Sequence, residues 1–385
     1  MSRTITINPV TRIEGHARIT LQLDDGGHLV EARFHVTEFR GFERFCQGRP
    51  FQEMAAITSR ICGICPVSHL LAAARTGDKL LAVRIPPAAA KLRRLLNLAQ
   101  ISQSHALSFF HLSSPDFLLG WDSDPARRNL FGLMAAEPEL ARAGIRLRQF
   151  GQEIIERLSG RRIHGAWAVP GGVRSPLALE DRDRILEELP EARAAASLAL
   201  ERFKRLLDGP LQRELNSFGT FPSLFLALVG PGGRWEHLAG SDEQEERAAT
   251  GLRLMAADGR VLAEGLREDD YPTFLAEAVE PWSYLKFPYF RPLGYPEGIY
   301  RVGPLARLNV CERIGTPWAD AELADLRQRC GRVALSSFAY HQARLVEIVA
   351  CLEGIEALLH DPELQDPHVR ARASLNALEA VGVGE

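Results

Sequence analysis

The first part of the chain alternates hydrophobic and polar residues in three short segments, TITI, HARITLQL and HLVEARFHV. An alternation with a period of two residues is typical of strands that bury one face. Asp24, Asp25, Gly26 and Gly27 separate the second segment from the third, in the place of a hairpin turn. The pattern therefore predicts a small antiparallel sheet in the N-terminal part of the chain.

Further along, hydrophobic residues recur every three or four positions, which is typical of helices that pack on a core. This spacing predicts a long helix over residues 88–110 and a second helix that begins near Pro138 and ends at Gly160. It also predicts a third helix over residues 178–207, with a kink or break at Pro190.

Between residues 221 and 301 the composition shifts toward glycine, proline and aromatic residues, and Asp258-Gly259 is placed as a hairpin turn would be. Helical spacing returns at about Ala319, with a break near Arg332. We therefore expect an α+β fold, mainly α, in which a core bundle of long helices carries the N-terminal sheet and a β-rich insertion. The expected segments are an N-terminal β-rich segment, a helical core, the insertion and C-terminal bundle helices, over residues 1–50, 51–220, 221–301 and 302–385.

Composition and charge place the chain among soluble globular proteins. Hydrophobic residues make up 46% and charged residues 25% of 385 residues, which is enough to bury a sizeable site. The formal net charge of -3 leaves no excess of positive charge for a nucleic acid. We find neither the apolar segment of a signal peptide nor a hydrophobic run of membrane-spanning length, so we expect a cytoplasmic protein without a membrane span.

The six cysteines are too few and too scattered for a disulfide framework, and only Cys62 and Cys65 are close neighbours. Cys65 precedes a proline, which favours the first position of a helix, so its sulfur is expected at a helix N-terminus. Gly63 is expected to let the backbone fold tightly enough for both sulfurs to face one soft metal ion. His69 lies one helical turn beyond Cys65 and on the same face.

Two other interpretations of this motif remain open at this point. A thioredoxin-type redox pair also enters a helix as Cys-Gly-x-Cys, although such a pair follows a buried strand and the segment FQEMAAITSR looks helical. A structural zinc site would need four ligands, and Cys46 is the nearest further cysteine. The spacing of Cys62 and Cys65 alone does not separate metal binding from redox chemistry.

The segment RICGICPVSH, residues 60–69, resembles the first signature of nickel–iron hydrogenase large subunits, Arg-x-Cys-Gly-x-Cys-x-x-x-His. PVTRIEGH, residues 9–16, is similar to the amino-terminal signature of the same family. Three further blocks resemble family blocks in the wording of the soluble NAD-reducing subgroup, namely EFRGFE, PGG and RVGPLARLN at residues 38–43, 170–172 and 301–309. The resemblance extends over the whole chain and implies the catalytic subunit of a hydrogenase.

The resemblance implies a centre in which four thiolates hold nickel, and two of them bridge to an iron that carries cyanide and carbon monoxide. Cys62 would be a terminal nickel ligand, and Cys65 would bridge nickel and iron. Glu14 matches the glutamate that relays protons from a nickel-bound thiolate, and as such it is expected to be buried with a raised pKa. Glu43 matches the magnesium ligand of the family.

Other residues are expected to act at this centre less directly. Asp116 aligns with an aspartate of the canopy over the open metal position. Arg60 and His69 are expected to support the thiolates by hydrogen bonds rather than to bind metal. The remaining cysteines and one further histidine are expected to be structural, namely Cys46, Cys311, Cys330, Cys351 and His164.

The chain contains neither a dinucleotide-binding Gly-x-Gly-x-x-Gly fingerprint nor a set of cluster-binding cysteines. Iron–sulfur clusters, flavin and NAD are therefore expected on partners: a small subunit, diaphorase subunits and, during maturation, a chaperone and a protease. The alternatives are a large subunit linked to NADP or to cofactor F420, or a scaffold without catalysis like the hydrogenase-related subunit of respiratory complex I. That scaffold has lost the nickel-binding cysteines, whereas Cys62 and Cys65 are present.

The family places a second cysteine pair in an Asp-Pro-Cys-x-x-Cys-x-x-His block that follows an Ala-Pro-Arg-Gly segment. Neither pattern occurs here, and no cysteine follows Cys351. We therefore expect a fragment of a complete hydrogenase rather than a relative that has lost its metal, because Cys62, Cys65, His69 and Glu14 are all retained. The fragment alone is expected to lack activity and stoichiometric nickel.

Overall fold

The computed structural model describes residues 3–238, 250–371 and 381–383 of the chain. It divides into two compact units. The first consists of Met1–Gly48 and Tyr271–Tyr300, and the second of Arg49–Asp270 and Arg301–Glu385.

The helices and strands of the described residues are numbered here in chain order. The α-helices are α1 (Phe42–Cys46), α2 (Met54–Thr58), α3 (Pro66–Leu80), α4 (Pro87–Ala106), α5 (Ser114–Leu119), α6 (Leu130–Ala136), α7 (Pro138–Ser159), α8 (Leu179–Leu207), α9 (Gln212–Ser217), α10 (Tyr271–Phe274), α11 (Pro304–Val310), α12 (Pro317–Cys330) and α13 (Ala339–Leu359). The strands are β1 (Arg3–Ile7), β2 (Ala17–Leu23), β3 (Leu29–Val36), β4 (Ala168–Val169), β5 (Gly172–Val173), β6 (Leu224–Gly230), β7 (Arg234–Trp235), β8 (Gly251–Met255), β9 (Val261–Leu266), β10 (Leu275–Val279), β11 (Lys286–Phe290) and β12 (Tyr300–Arg301).

The first unit contains the N-terminal sheet, in which β1, β2 and β3 pair antiparallel in that order. The turn between β2 and β3 lies where the sequence predicted it, at Asp24–Gly27, and the Gly27 N–H donates to the Asp24 carbonyl over 3.1 Å. The segment 271–300 packs with this sheet because the Tyr284 N–H donates to the Val36 carbonyl over 3.1 Å.

The second unit contains the helical bundle. Helix α4 packs against α7 and α13, and α8 packs against both of these helices. Their hydrophobic faces form one continuous buried core, which explains why the three- and four-residue spacing is so regular. Helix α7 ends at Gly160, which adopts the left-handed conformation with φ 74° as predicted. Helix α8 continues through Pro190 rather than ending there.

The sheet of the second unit carries the hairpin predicted around Asp258-Gly259. Strand β8 pairs antiparallel with β6 on one side and with β9 on the other, and β7 pairs with the end of β6. One face of β6 and β8 packs on α11 through a small hydrophobic cluster that includes Phe225, Met255 and Val310. The sequence did not predict the short pair β4–β5. None of the described helices combines the length and the hydrophobicity needed to cross a lipid bilayer.

Candidate metal centre

The two neighbouring cysteines lie at the entrance to α3, in the second unit. Cys62 is extended and ends a short 3-10 turn, whereas Cys65 occupies the N-cap position, and Pro66 is the first helical residue as predicted. The backbone N–H of Cys65 donates a hydrogen bond to Cys62 Sγ over 3.1 Å. Cys62 Sγ therefore lies beside the backbone of Cys65, at the positive end of the helix dipole.

The loop between the cysteines is accessible on one side. Both cysteines are partly exposed, and a Cβ atom built on Gly63 would meet no described atom within 4 Å. Gly63 does not adopt the left-handed conformation that favours glycine. The prediction that Gly63 is needed for a tight turn is therefore not supported, and the structure shows open space beside it instead.

Two glutamines from α4 hold the other side of this loop. Gln100 Nε2 donates to the Ile64 carbonyl over 2.7 Å, and Gln103 Nε2 donates to the same oxygen over 3.1 Å. Both glutamines are buried. The sequence analysis missed them because helical spacing identifies the buried face of α4, but not which distant carbonyl its amides reach.

The side chains of Arg60 and His69, which were expected to support the thiolates, lie in different surroundings. The Arg60 guanidinium folds back and donates to the Ala56 carbonyl of the preceding turn. The His69 ring is half-buried, and burial lowers its pKa.

Asp116 lies in the first turn of α5, half-buried, with its Oδ1 atom 3.3 Å from Arg128 Nε. A π-helical segment, Leu107–Ser113, connects α4 to α5, whereas the sequence predicted one regular helix to residue 110. Because Pro115 has no N–H to donate, the regular hydrogen-bond pattern is interrupted before it. Asp116 thus follows directly after a locally widened helical segment, a feature often found at functional sites.

The two candidate glutamates, Glu14 and Glu43, both belong to the first unit, and both are exposed. Glu14 was expected to be buried beside the thiolates, and in this chain it is exposed. Glu43 lies in α1, where Lys286 Nζ donates to its Oε1 atom over 2.8 Å. This hydrogen bond lowers the pKa of Glu43. Across the described residues, no three His, Cys, Asp or Glu side chains are grouped closely enough to hold a metal ion.

A buried ionic network, which the sequence analysis did not identify, anchors α4 to the rest of the second unit. Glu347 on α13 accepts from Arg307 Nε and Nη2 over 2.7 Å each, from Trp235 Nε1 over 2.8 Å, and lies 2.7 Å from His105 Nε2. Burial alone would raise the pKa of Glu347, but Arg307 and His105 hold it well below its usual value. Glu347 is therefore a fully buried carboxylate with charged and hydrogen-bonding partners.

A second buried glutamate, Glu236, lies nearby and pairs with Arg94. Arg94 donates to both oxygens of Glu236 over 2.9 and 3.1 Å, and the next residue, His237, is fully buried. Burial lowers the pKa of His237 to about 3 and that of His105 to about 4, so both rings are neutral. Helix α4 thus supplies Arg94 and His105 to this network and the two glutamines to the cysteine loop.

Three of the other four cysteines have a chemical environment different from that of Cys62 and Cys65. Cys311 and Cys351 are buried, and burial raises the pKa of Cys311 to about 12 and that of Cys351 well above its usual value. Burial also raises the pKa of Cys330 to about 11. These protonated thiols have the character of small apolar side chains, which supports their structural interpretation.

Family models match the N-terminal third of the chain. A model described as HoxL-like matches residues 4–39, and a model described as nickel-dependent hydrogenase matches residues 40–122.

Curated relatives match over nearly the whole chain. The vhu subunit of an F420-non-reducing hydrogenase from Methanococcus voltae is 40% identical over 379 residues, which cover 98% of this chain and 87% of that protein. The NAD-reducing hydrogenase HoxS subunit beta of Cupriavidus necator is 39% identical over 399 residues, covering 100% of this chain and 79% of that protein.

The fold is also found in solved structures. A crystal structure of an NAD+-reducing [NiFe]-hydrogenase in the H2-reduced state superimposes with a TM-score of 0.90 and 45% identity, covering 97% of this chain and 80% of that one. A Ni-Fe-Se hydrogenase from D. vulgaris Hildenborough superimposes with a TM-score of 0.75 at 23% identity, which supports the fold alone.

Proposed function

Because the chain belongs to the nickel-dependent hydrogenase large-subunit family, we propose that it is the catalytic subunit of an enzyme that reversibly oxidises hydrogen. One observation carries the proposal: Cys62 and Cys65 meet at the entrance to α3, where the Cys65 N–H contacts Cys62 Sγ. A non-catalytic scaffold does not need this pair of cysteines. The presence of Cys62 and Cys65 therefore favours the catalytic interpretation.

The chemistry of this donor set fits a nickel–iron centre. Sulfur is a soft donor that suits nickel of low valence, and the open space beside Gly63 leaves room for a bound group. We propose that the thiolates of Cys62 and Cys65 would hold the nickel and iron of such a centre, whose iron would carry cyanide and carbon monoxide. When bound, such a centre supplies heterolytic cleavage of hydrogen.

The two cysteines are two of the four thiolates that the family resemblance implies. The proposed role of the loop is to hold these two sulfurs in place. Its Ile64 carbonyl is held by hydrogen bonds from Gln100 and Gln103 of α4.

The family resemblance supports proposed roles for three carboxyl groups. Glu14 would take up the proton from a thiolate and release it to water, and its exposure in the described structure suits the releasing step. Asp116, held by Arg128, would border the open position of the metals. Glu43 would bind magnesium, for which it must exchange the Lys286 ammonium for the divalent ion.

We propose NAD as the final electron acceptor, reached through diaphorase subunits that draw electrons from an iron–sulfur small subunit. A named NAD-reducing relative and a solved NAD+-reducing structure support this choice. We place the enzyme in the cytoplasm, where a maturation chaperone and protease would assemble its centre. The relative named as F420-non-reducing favours, as a second candidate, an enzyme that passes electrons neither to NAD nor to F420.

Hydrogen-dependent reduction of candidate acceptors tests this function. The intact complex is purified without oxygen and offered hydrogen with a viologen dye, NAD+, NADP+ or F420. We expect reduction of the dye and of NAD+, and loss of both in Cys62→Ala but not in Cys46→Ala. Reduction of the dye without NAD+ would support the second candidate, and an inactive wild-type complex would contradict the proposal.

A further inference from the structure

The peptide between Ile64 and Cys65 is held at both of its polar ends. Its carbonyl oxygen accepts from Gln100 and Gln103, and its N–H donates to Cys62 Sγ. The peptide group is planar, so the direction of its carbonyl determines the direction of its N–H. Contacts at the oxygen therefore control whether the N–H points at the sulfur.

The two glutamines are well placed to act together. They lie three residues apart on α4, which puts them on the same face of the helix. Gln100 and Gln103 are 2% and 4% exposed, so water does not readily replace either amide. Two donors on one oxygen restrict its direction more than one donor would.

The helix that carries them is itself fixed in the core. Arg94, near the start of α4, holds Glu236, and His105, near its end, contacts Glu347. Both anchors flank the glutamines along the helix. The amides are thus presented by a rigid element, which is what precise placement of a metal ligand requires.

On the basis of the function proposed above, we propose that Gln100 and Gln103 are positioning residues for the thiolate loop. They orient the Ile64–Cys65 peptide so that its N–H donates to Cys62 Sγ. A hydrogen bond to a metal-bound sulfur withdraws electron density from it and tunes the potential of the centre. The glutamines therefore set both the geometry of the loop and the electron density on one ligand without touching the metal.

Methionine variants test this role, because methionine resembles glutamine in length but cannot donate. The variants are Gln100→Met, Gln103→Met and the double variant, each purified as the intact complex. Gln342→Met is the matched control, since Gln342 is also buried but donates to Asp325 on α12. The readouts are nickel content, the midpoint potential of the centre and the rate of iodoacetamide alkylation of Cys62 and Cys65 in protein produced without nickel.

We expect the double variant to move the potential to a more negative value, since the sulfur becomes more electron-rich, with smaller shifts in the single variants. In nickel-free protein we expect alkylation of Cys62 and Cys65 to become faster by about tenfold, because the loop is held less firmly once the Ile64 carbonyl loses both donors. The control should match wild type in both respects.

Either readout alone can contradict the positioning role. A nickel-replete double variant with the wild-type potential would overturn the positioning role, and so would an unchanged alkylation rate in the nickel-free double variant. If the wild-type complex itself binds no nickel, the proposed function fails, and the alkylation rates alone decide whether the glutamines hold the loop.

Discussion

Arg307 and Glu347 form a two-pronged ion pair in the core of the second unit, with both N···O separations at 2.7 Å. Glu347 is completely buried, and the fork of Arg307 reaches it from α11. Such a pair adds little net stability compared with an apolar pair of the same shape, but losing one partner leaves a buried charge uncompensated. Two consequences for stability follow.

Replacement of Arg307 by methionine is expected to lower the free energy of unfolding by about 3–5 kcal/mol, because Glu347 would remain buried without its main counter-charge. The measurement is urea denaturation of the purified protein, followed by circular dichroism. Arg162→Met is the control, since Arg162 pairs with Glu156 in solvent and its loss should leave the free energy of unfolding nearly unchanged. Equal effects of the two substitutions would contradict a structural role of the network.

Acid should destabilise the protein beginning in the range in which ordinary histidines titrate. Burial lowers the pKa of His105 from 6.5 to about 4 and that of His237 from 6.5 to about 3. The unfolded chain therefore binds more protons than the folded chain as the pH falls through this interval, so the free energy of unfolding decreases with falling pH. Glu347, whose pKa is lowered, reinforces the loss below its usual value of 4.5.

The test compares urea midpoints between about pH 7 and about pH 5. We expect the double variant His105→Gln/His237→Gln to show a weaker pH dependence than wild type in this range. His360→Gln, which changes an exposed histidine, should leave the slope unchanged. A double variant with the full wild-type slope would show that other groups cause the acid sensitivity.

The helix start at Pro66 and the hairpins could be predicted from the sequence, because each depends on residues that are neighbours in the chain. Proline at the first helical position and Asp-Gly turns act over a few residues. The ionic network could not be predicted from the sequence, although Glu347 stands out between Val346 and Ile348 in a hydrophobic stretch. Its partners lie far away in the sequence, and only tertiary packing brings them together.

The candidate site could be predicted only in part, because only some of its contacts are local in the sequence. The motif identified Cys62 and Cys65, but the donors that hold their loop come from another helix, and no local pattern marks Gln100 or Gln103. The expected burial of Glu14 rested on a matched motif, and a motif does not determine how exposed Glu14 is in this chain.

The Lys286–Glu43 pair gives a prediction for magnesium. Replacing Lys286 by methionine removes the hydrogen bond that lowers the pKa of Glu43, so this pKa should rise toward 4.5. If Glu43 binds magnesium, the same change should tighten binding, because the competing ammonium is gone. Calorimetric titration of the complex with magnesium measures this, and Glu43→Gln/Lys286→Met serves as the control. Weaker binding in Lys286→Met would argue against Glu43 as a ligand.

The proposed relay at Glu14 is tested by Glu14→Gln, which keeps the size of the side chain and removes its titratable proton. We expect nickel and iron contents to stay at the wild-type level and hydrogen turnover to fall by about 10²–10⁴-fold. Glu31→Gln, on the N-terminal sheet, is the control and should retain full turnover. A metal-replete Glu14→Gln complex with normal turnover would remove Glu14 from the mechanism.

The central claim is that Cys62 and Cys65 hold nickel at the entrance to α3. Its most direct test is the nickel content of the intact protein, measured by inductively coupled plasma mass spectrometry in wild type, Cys62→Ser, Cys65→Ser and Cys46→Ser. We predict stoichiometric nickel in wild type and Cys46→Ser, and its loss in the other two variants at unchanged folding by circular dichroism. Wild-type nickel content in folded Cys62→Ser or Cys65→Ser would contradict the claim.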